Sequence, residues 1–297
     1  MLRAAIPDDE AAMIALATRR CPALEPASMV DLFEPSVIDL YGAYVAIERD
    51  ELIGWSALAH RRAMPTGWRG LRLYVDHAHE DKGVGCALRS AALGHLDDEA
   101  TEIRTSVFDD DERSLSIARS WDLEILQHSI TSRLDLEAAT APDPPPGIAV
   151  EACGDLRFDD AEAVEACLTV SQTNPEAATG LNMDLAMVLG FVGTNETPIG
   201  SLARLDGRPV ALTHGGVADS QLFLSYTGVD PAFRGRGLAK LVKQHAHVQA
   251  RAAGAVSVLT ENEEHNAGIR HVNATLGYRR TFGTYWLRQQ LGTRAKG

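Results

Sequence analysis

Arg234, Gly235, Arg236, Gly237, Leu238 and Ala239 stand in one short stretch between two longer runs. An apolar, strand-like run from Leu222 to Val229 enters it, and a helical run from Leu238 to about Gly254 leaves it. Glycines let the backbone turn sharply and bring several N–H groups close to a ligand. A helix starting directly behind adds its unpaired N–H groups and the positive end of its dipole. Together these make a seat for a pyrophosphate. The spacing Arg234-x-x-Gly237-x-Ala239 is neither a P-loop, which needs Gly-Lys-Ser/Thr, nor a dinucleotide turn, which needs Gly-x-Gly-x-x-Gly and a following acid. Cations at a helix start are mildly unfavourable for the helix itself. Arg234 and Arg236 there therefore point to an anionic ligand, with Lys240 or Lys243 able to reach a further phosphate.

The elements that must position this stretch occur twice. Val75-Asp76 precedes a second helical run in the way that Val229-Asp230 precedes the first, and Gly83 and Gly85 fall at the places of Gly237 and Ala239. The offset, 237 − 83 = 154 residues, is about half the chain of 297. Such a period fits a duplication into tandem domains, not a solenoid. Strands are expected in the first half at Leu2–Ala5, Tyr44–Glu48, Leu52–Ala59 and Gly70–Val75, with a helix opened by Pro7-Asp-Asp-Glu. In the second half they are expected at Ile148–Ala152, Ser201–Leu205, Val210–Val217, Leu222–Val229, Val256–Thr260 and Gly283–Gln290. A helix is expected from Phe158 to Val170 and another from Asn266 to Leu276. Asn174 to Val192 is expected to shape an acceptor pocket. Four prolines between Ala138 and Gly147 mark a stiff linker, so the expected domains are 1–137, the linker 138–147, and 148–297. The first copy has lost its chemistry: Glu80 stands at the place of Arg234, with Asp81 beside it, and would repel a pyrophosphate. Its expected role is structural.

The Arg234 to Ala239 pattern resembles the acyl-CoA pyrophosphate loop of the GNAT superfamily of N-acetyltransferases, written Arg/Gln-x-x-Gly-x-Gly/Ala. About 30 residues on come Asn262-x-x-x-Asn266 and then Asn273-x-x-Leu276-Gly277-Tyr278, which look like the family's fifth strand, fourth helix and Leu-Gly-aromatic turn. The resemblance covers residues 148–291. It implies an α/β (α+β) fold of two tandem GNAT-like domains, each a mixed, mostly antiparallel sheet flanked by helices. Acetyl-CoA would lie where the fourth and fifth strands splay apart. The backbone at Thr227, Gly228 and Val229 would pair with its pantetheine arm, the amides from Arg234 to Ala239 would hold its pyrophosphate, and Asn266 would contact it. Asn262 and Asn266 also have a local explanation, since Asn is a favoured helix N-cap.

The implied reaction is direct acetylation of a primary amine of a small molecule in the second domain. The enzyme places the amine, removes its proton, stabilises an oxyanion and protonates the departing thiolate. Many family members use for that last step a Tyr four residues before the glycine of the Leu-Gly-aromatic turn. Here the position is Asn273, which cannot act as an acid. Catalytic candidates are His214, for its ordinary pKa, Glu261 just past the fifth strand, and Tyr226; core packing is the competing reading for Tyr226. The alternatives are a CoA-binding sensor or scaffold without chemistry, and an acyltransferase using a different acyl-CoA.

The bulk numbers bound the rest. Residues 1–140 carry 25 Asp+Glu against 14 Lys+Arg, and residues 141–297 carry 16 against 14, so the net charge of -13 sits almost wholly in the first half. Such a half does not suit nucleic acid. The less acidic half carries the phosphate loop. No run approaches the length of a membrane span, and no signal-peptide core opens the chain. Cys21, Cys86, Cys153 and Cys167 lack metal-like spacing and read as reduced thiols of a cytoplasmic protein. No metal is expected.

Overall fold

The computed structural model describes residues 1–21, 32–33, 38–62, 64–154, 165, 188 and 196–292. Nearly all of the expected helix from Phe158 to Val170 and of the Asn174 to Val192 segment, and Cys167, lie outside the described residues. The chain divides into two compact units, Met1–His128 with Thr284–Gly297, and Ser129–Gly283.

In the first unit β1 (Leu2–Ala4), β2 (Ile38–Glu48), β3 (Glu51–Arg61) and β4 (Trp68–Val75) form an antiparallel run. β4 pairs in parallel with β5 (Glu102–Phe108). Three helices accompany them: α1 (Glu10–Arg20), α2 (Val84–Leu93) and α3 (Glu112–Ser120). Pro7-Asp-Asp makes a 3-10 turn ahead of α1, and Arg3 anchors it with two 2.7 Å bonds to Asp9. Met13, Leu16 and Ala17 of α1 bury against Val45 and Trp55. The Trp55 indole nitrogen donates to the Met13 carbonyl at 2.9 Å, so its polar atom is satisfied in the core.

The second unit starts within β6 (Glu124–Asp135), whose residues Ser129–Asp135 pair antiparallel with β11 (Ser257–Glu263). β11 is parallel to β10 (Gln221–Val229), which is antiparallel to β9 (Arg208–Ala218). β8 (Thr197–Leu205) and β7 (Ile148–Ala152) complete the sheet. Against it lie α4 (Leu238–Ala252) and α5 (Ala267–Leu276). Leu222 and Leu224 of β10 turn inward onto Ala246 and Ala250 of α4, while Phe223 between them is exposed. This is the period-two alternation of a strand meeting a helix. Leu238, Leu241 and Val242 bury against Ala203, Val210 and Ala211. Each of these leucines and valines contributes roughly 1.5–3 kcal/mol by leaving water.

Both units are thus mixed, mostly antiparallel sheets with helices, as expected. Their division differs from the expected boundary at the proline-rich linker. β6 belongs by sequence to the first half, yet its end pairs in the second unit. β12 (Arg279–Gln290) belongs to the second half, yet Thr284–Gln290 pairs with β5 in the first unit. The halves exchange their last strands. Both strands are antiparallel partners for the free edge of a parallel strand, and local sequence does not say which edge either one covers. β5, α3 and β6 also lay unread in the sequence, and β11 runs three residues beyond the expected Thr260. Among the described residues no helix is long and apolar enough to cross a membrane.

Candidate functional site

β10 and β9 are in regular register to Leu224↔Gly215, then resume at Tyr226↔His214, leaving Ser225 as a bulge. Gly215 allows it, because a Cβ there would collide with the Phe223 carbonyl oxygen. A bulge bends its strand. The ladder between β10 and β11 accordingly stops at Leu224↔Thr260, although β10 runs on to Val229 and β11 to Glu263. The two parallel strands part from that vertex, where Thr260 Oγ1 donates to the Leu224 carbonyl at 3.1 Å.

The mouth of this opening is the glycine stretch. Asp230 caps a 3-10 turn, Pro231–Phe233, by accepting from the Ala232 amide at 2.9 Å, and is itself held by Arg208 at 2.6 Å. The chain then passes through Gly235 (φ 74°) and Gly237 (φ 78°) into α4. A Cβ on either glycine would meet no protein atom. Packing therefore does not demand glycine here; the left-handed backbone does. The space beside both glycines is open. Gly237, the N-cap residue, offers no side-chain cap, so the first amides of α4 keep their capacity to donate. Arg234 Nε donates to the Val229 carbonyl at 3.1 Å, and Arg236 lies over the Phe233 ring. The Leu238 side chain is buried, and Ala239 is half-buried beside it.

The other expected residues are placed as follows. Thr227 Oγ1 shares a 2.8 Å hydrogen bond with Thr213 Oγ1, and Thr213 also donates to the Tyr226 carbonyl. Gly228 and Val229 continue the ladder with β9 to Leu212 and Ala211. Tyr226 and His214 are direct cross-strand partners, both buried. Burial pushes the His214 imidazole down to about 4, so it is neutral at physiological pH. Glu261 follows Thr260 by one residue; since Thr260 faces α4, Glu261 faces away from it. Asn266 is the N-cap of α5, its side chain accepting from the Ile269 amide at 3.3 Å. The local cap explanation is thus realised there. Asn262 is no cap: its Oδ1 accepts from Asn273 Nδ2 at 2.6 Å. Lys243 does not reach a phosphate position. It is fully buried and donates to Asn273 Oδ1 at 2.9 Å, because its place on α4 puts it on the sheet-facing side with Val242 and Ala246. Helical periodicity carried that signal, but a lysine near a phosphate loop reads first as a surface cation.

The first copy reproduces the backbone. Asp76 accepts from the Ala78 amide at 3.0 Å, a 3-10 turn follows, and Asp81 (φ 59°) and Gly83 (φ 80°) lead into α2. The chemistry is inverted. Glu80 is clasped by Arg20 at 2.8 Å and Arg113 at 3.0 Å, and Asp81 by Arg113 at 2.6 Å. Here the chain itself supplies the anion. α3, with Asp111 as its side-chain cap, stands in this unit as α5 with Asn266 stands in the other.

Residues 170–278 match the family model described as Acetyltransferase (GNAT) family. No curated protein sequence matches the chain. Among solved structures, a tandem GNAT protein from the clavulanic acid biosynthesis pathway is similar at TM-score 0.73 and 20% identity, with 98% of each chain covered. A GCN5-related N-acetyltransferase from Sphaerobacter thermophilus is similar at TM-score 0.73 and 16% identity, covering 98% of this chain and 95% of that one. Another from Kribbella flavida gives TM-score 0.58 and 17% identity over 82% of this chain and 90% of the other. At these identities the neighbours establish the fold, including its tandem form, and the family match covers the loop, the parting strands and α5. The chain therefore carries a GNAT-family acetyltransferase domain within a tandem GNAT fold, and it is an enzyme of the acyl-CoA N-acyltransferase type.

Proposed function

We propose that the second unit binds acetyl-CoA and transfers its acetyl group directly to a primary amine of a small molecule. The observation that carries this reading is the parting of β10 and β11 at Leu224↔Thr260, from which β10 runs on to the glycine turn that feeds the start of α4. The amides of Arg234, Gly235, Arg236, Gly237, Leu238 and Ala239 would receive the pyrophosphate. The β10 edge at Thr227, Gly228 and Val229 would pair with the pantetheine arm as an added strand. Acetyl-CoA supplies the activated acyl group; the protein positions the amine, accepts its proton and keeps water out. His214 and Tyr226 are assigned to the face of the sheet turned away from α4, with Glu261 on the same face. A neutral imidazole at His214 can accept a proton, which favours it as the base. Asn266 is assigned chiefly to capping α5. The first unit is assigned a structural role, since Glu80 and its arginines occupy the place of the ligand charge.

The test is calorimetric titration of acetyl-CoA into the wild type, Arg234→Glu and Glu80→Arg, followed by an amine screen. One site per chain, lost in Arg234→Glu and kept in Glu80→Arg, supports the assignment. Two sites per chain would overturn the division of labour, and binding with no transfer to any amine would favour a CoA-dependent sensor. A competing titration with other acyl-CoA thioesters checks the acyl group.

A further inference from the structure

Lys243 poses a problem that packing does not solve. It is fully buried, and among the described residues no carboxylate acts on its charge. An unpaired ammonium out of water costs several kcal/mol. Its neighbours are Asn273 Oδ1 on α5 at 2.9 Å, Thr260 Oγ1 on β11 at 3.4 Å, and the face of the Tyr278 ring at 5.1 Å. The titratable groups around it are Tyr278 and His247, which share a 2.7 Å hydrogen bond. Neither provides an anion at neutral pH: burial raises the Tyr278 hydroxyl well above its ordinary value. Burial, with the charge of Lys243 as a second cause, lowers His247 to about 3. Burial lowers Lys243 itself to about 7.

The network has a direction. An ammonium only donates, so Asn273 must turn its Oδ1 to Lys243 and its Nδ2 outward. That Nδ2 donates to Asn262 Oδ1 at 2.6 Å, which in turn leaves the Asn262 Nδ2 to donate beyond the network. Thr260, two residues before Asn262, marks the vertex where β10 and β11 part. From Val229 back to Leu224 is five residues, about 17 Å of strand. A ligand seated by its pyrophosphate on the loop and extended along β10 therefore brings its far end to this vertex.

We infer that Lys243 is a positioning residue which, through Asn273, aims the Asn262 amide at the sulfur end of bound acyl-CoA and steadies the negative charge that the sulfur acquires. The inference rests on the acyl-CoA reading of this cleft. In the transfer the amine nitrogen forms a bond to the thioester carbon, the carbon–sulfur bond breaks, and its electron pair goes to sulfur. The proton lost by the amine balances the one sulfur finally takes up through solvent. Lys243 exchanges no proton with the reactants: as ammonium or as amine its Nζ donates to Asn273 and so holds the amide direction, and below about pH 7 its charge adds to the effect in a low-dielectric setting.

The test follows the thiol of coenzyme A itself, bound to the wild type, Lys243→Met and Asn262→Ala, by thiolate ultraviolet absorbance across pH, with acetyl-CoA binding measured in parallel. A free thiol titrates near ~8.5. In the wild type the bound thiol is expected to titrate about one unit lower, equivalent to about tenfold preferential binding of the thiolate. In both variants it is expected to return to the free value, with acetyl-CoA affinity within about threefold and kcat at least about tenfold down. Asn262→Ala retains the Lys243–Asn273 bond, so it tests the donor even where Lys243→Met fails to fold. Binding with the same thiol titration in all three proteins would overturn the inference alone. No binding of either nucleotide to the wild type would overturn the proposed function and the inference with it.

Discussion

Arg20 at the end of α1 holds Glu80 at 2.8 Å, at the place that Arg234 takes in the second copy. Both side chains of the pair are largely covered, at 11% and 20% exposure. Glu80→Ala would leave Arg20 with its charge part-buried beside the His77 ring, and with Asp111, at 3.7 Å, as its remaining carboxylate. The expected cost is about 1–3 kcal/mol in denaturant unfolding, from an ion pair better shielded than a surface one. Glu80→Gln, which keeps the hydrogen-bonding shape, is expected to lose less. Equal stability of all three proteins would show the clasp to be incidental.

Gly237 tests the loop in the second copy. Its φ of 78° strains any side chain, although no atom would obstruct a Cβ. Gly237→Ala is expected to cost about 1–2 kcal/mol in stability through the backbone alone. Acetyl-CoA affinity is expected to fall tenfold or more, because relaxation of the strain redirects the amides. Calorimetry beside thermal unfolding separates the two effects. An unchanged affinity would remove the loop from the site.

Stability should rise with pH through two separate windows. His214 has its folded pKa depressed to about 4, so between there and its unfolded value near ~6.5 the unfolded chain binds more protons. Stability is complete above the unfolded value and is lost as pH falls through the window, by on the order of 3 kcal/mol. His247, at about 3, adds in the same sense. Lys243, at about 7 in the fold against an ordinary value near ~10.4, binds fewer protons folded than unfolded across the alkaline window, so stability also rises there. Denaturant midpoints at about pH 5, 7 and 9.5 check the slopes. Lys243→Met should abolish the alkaline gain and leave the acidic one.

Cutting the chain at its proline-rich linker should not yield two soluble halves. The first unit needs Thr284–Gln290 beside β5, and the second needs Ser129–Asp135 beside β11. Each severed half would expose a long strand edge, a template for aggregation. Expressed separately, 1–137 and 148–297 are expected to be insoluble; expressed together, they are expected to recover a soluble complex. Two monomeric, folded halves would contradict the exchange.

Much of the site was legible because its causes are local. A left-handed backbone asks for glycine at 235 and 237. An aspartate before a turn caps it, at Asp76 and at Asp230. Asn266 caps the helix it precedes. Such rules act over three or four residues, so the duplicated strand–loop–helix passage is plain in the sequence, Glu80 against Arg234. Asp111 and Ala118 stand at the places of Asn266 and Asn273, and Asp111 still caps α3 as Asn266 caps α5, while the amide pair of the second copy is lost.

What the tertiary structure decided are the relations between distant segments. Periodicity states that β6 and β12 are strands; it cannot state that each covers the edge of a parallel strand in the opposite unit, since strand pairing is chosen by edges, not by sequence order. The Ser225 bulge depends on the approach of Gly215 from a neighbouring strand. Arg20 and Arg113 reach Glu80 from two other helices. Lys243 reads in sequence as one more cation behind a phosphate loop. Only the packing of α4 on the sheet turns it inward, away from solvent and counter-charge, and onto the amides at the vertex.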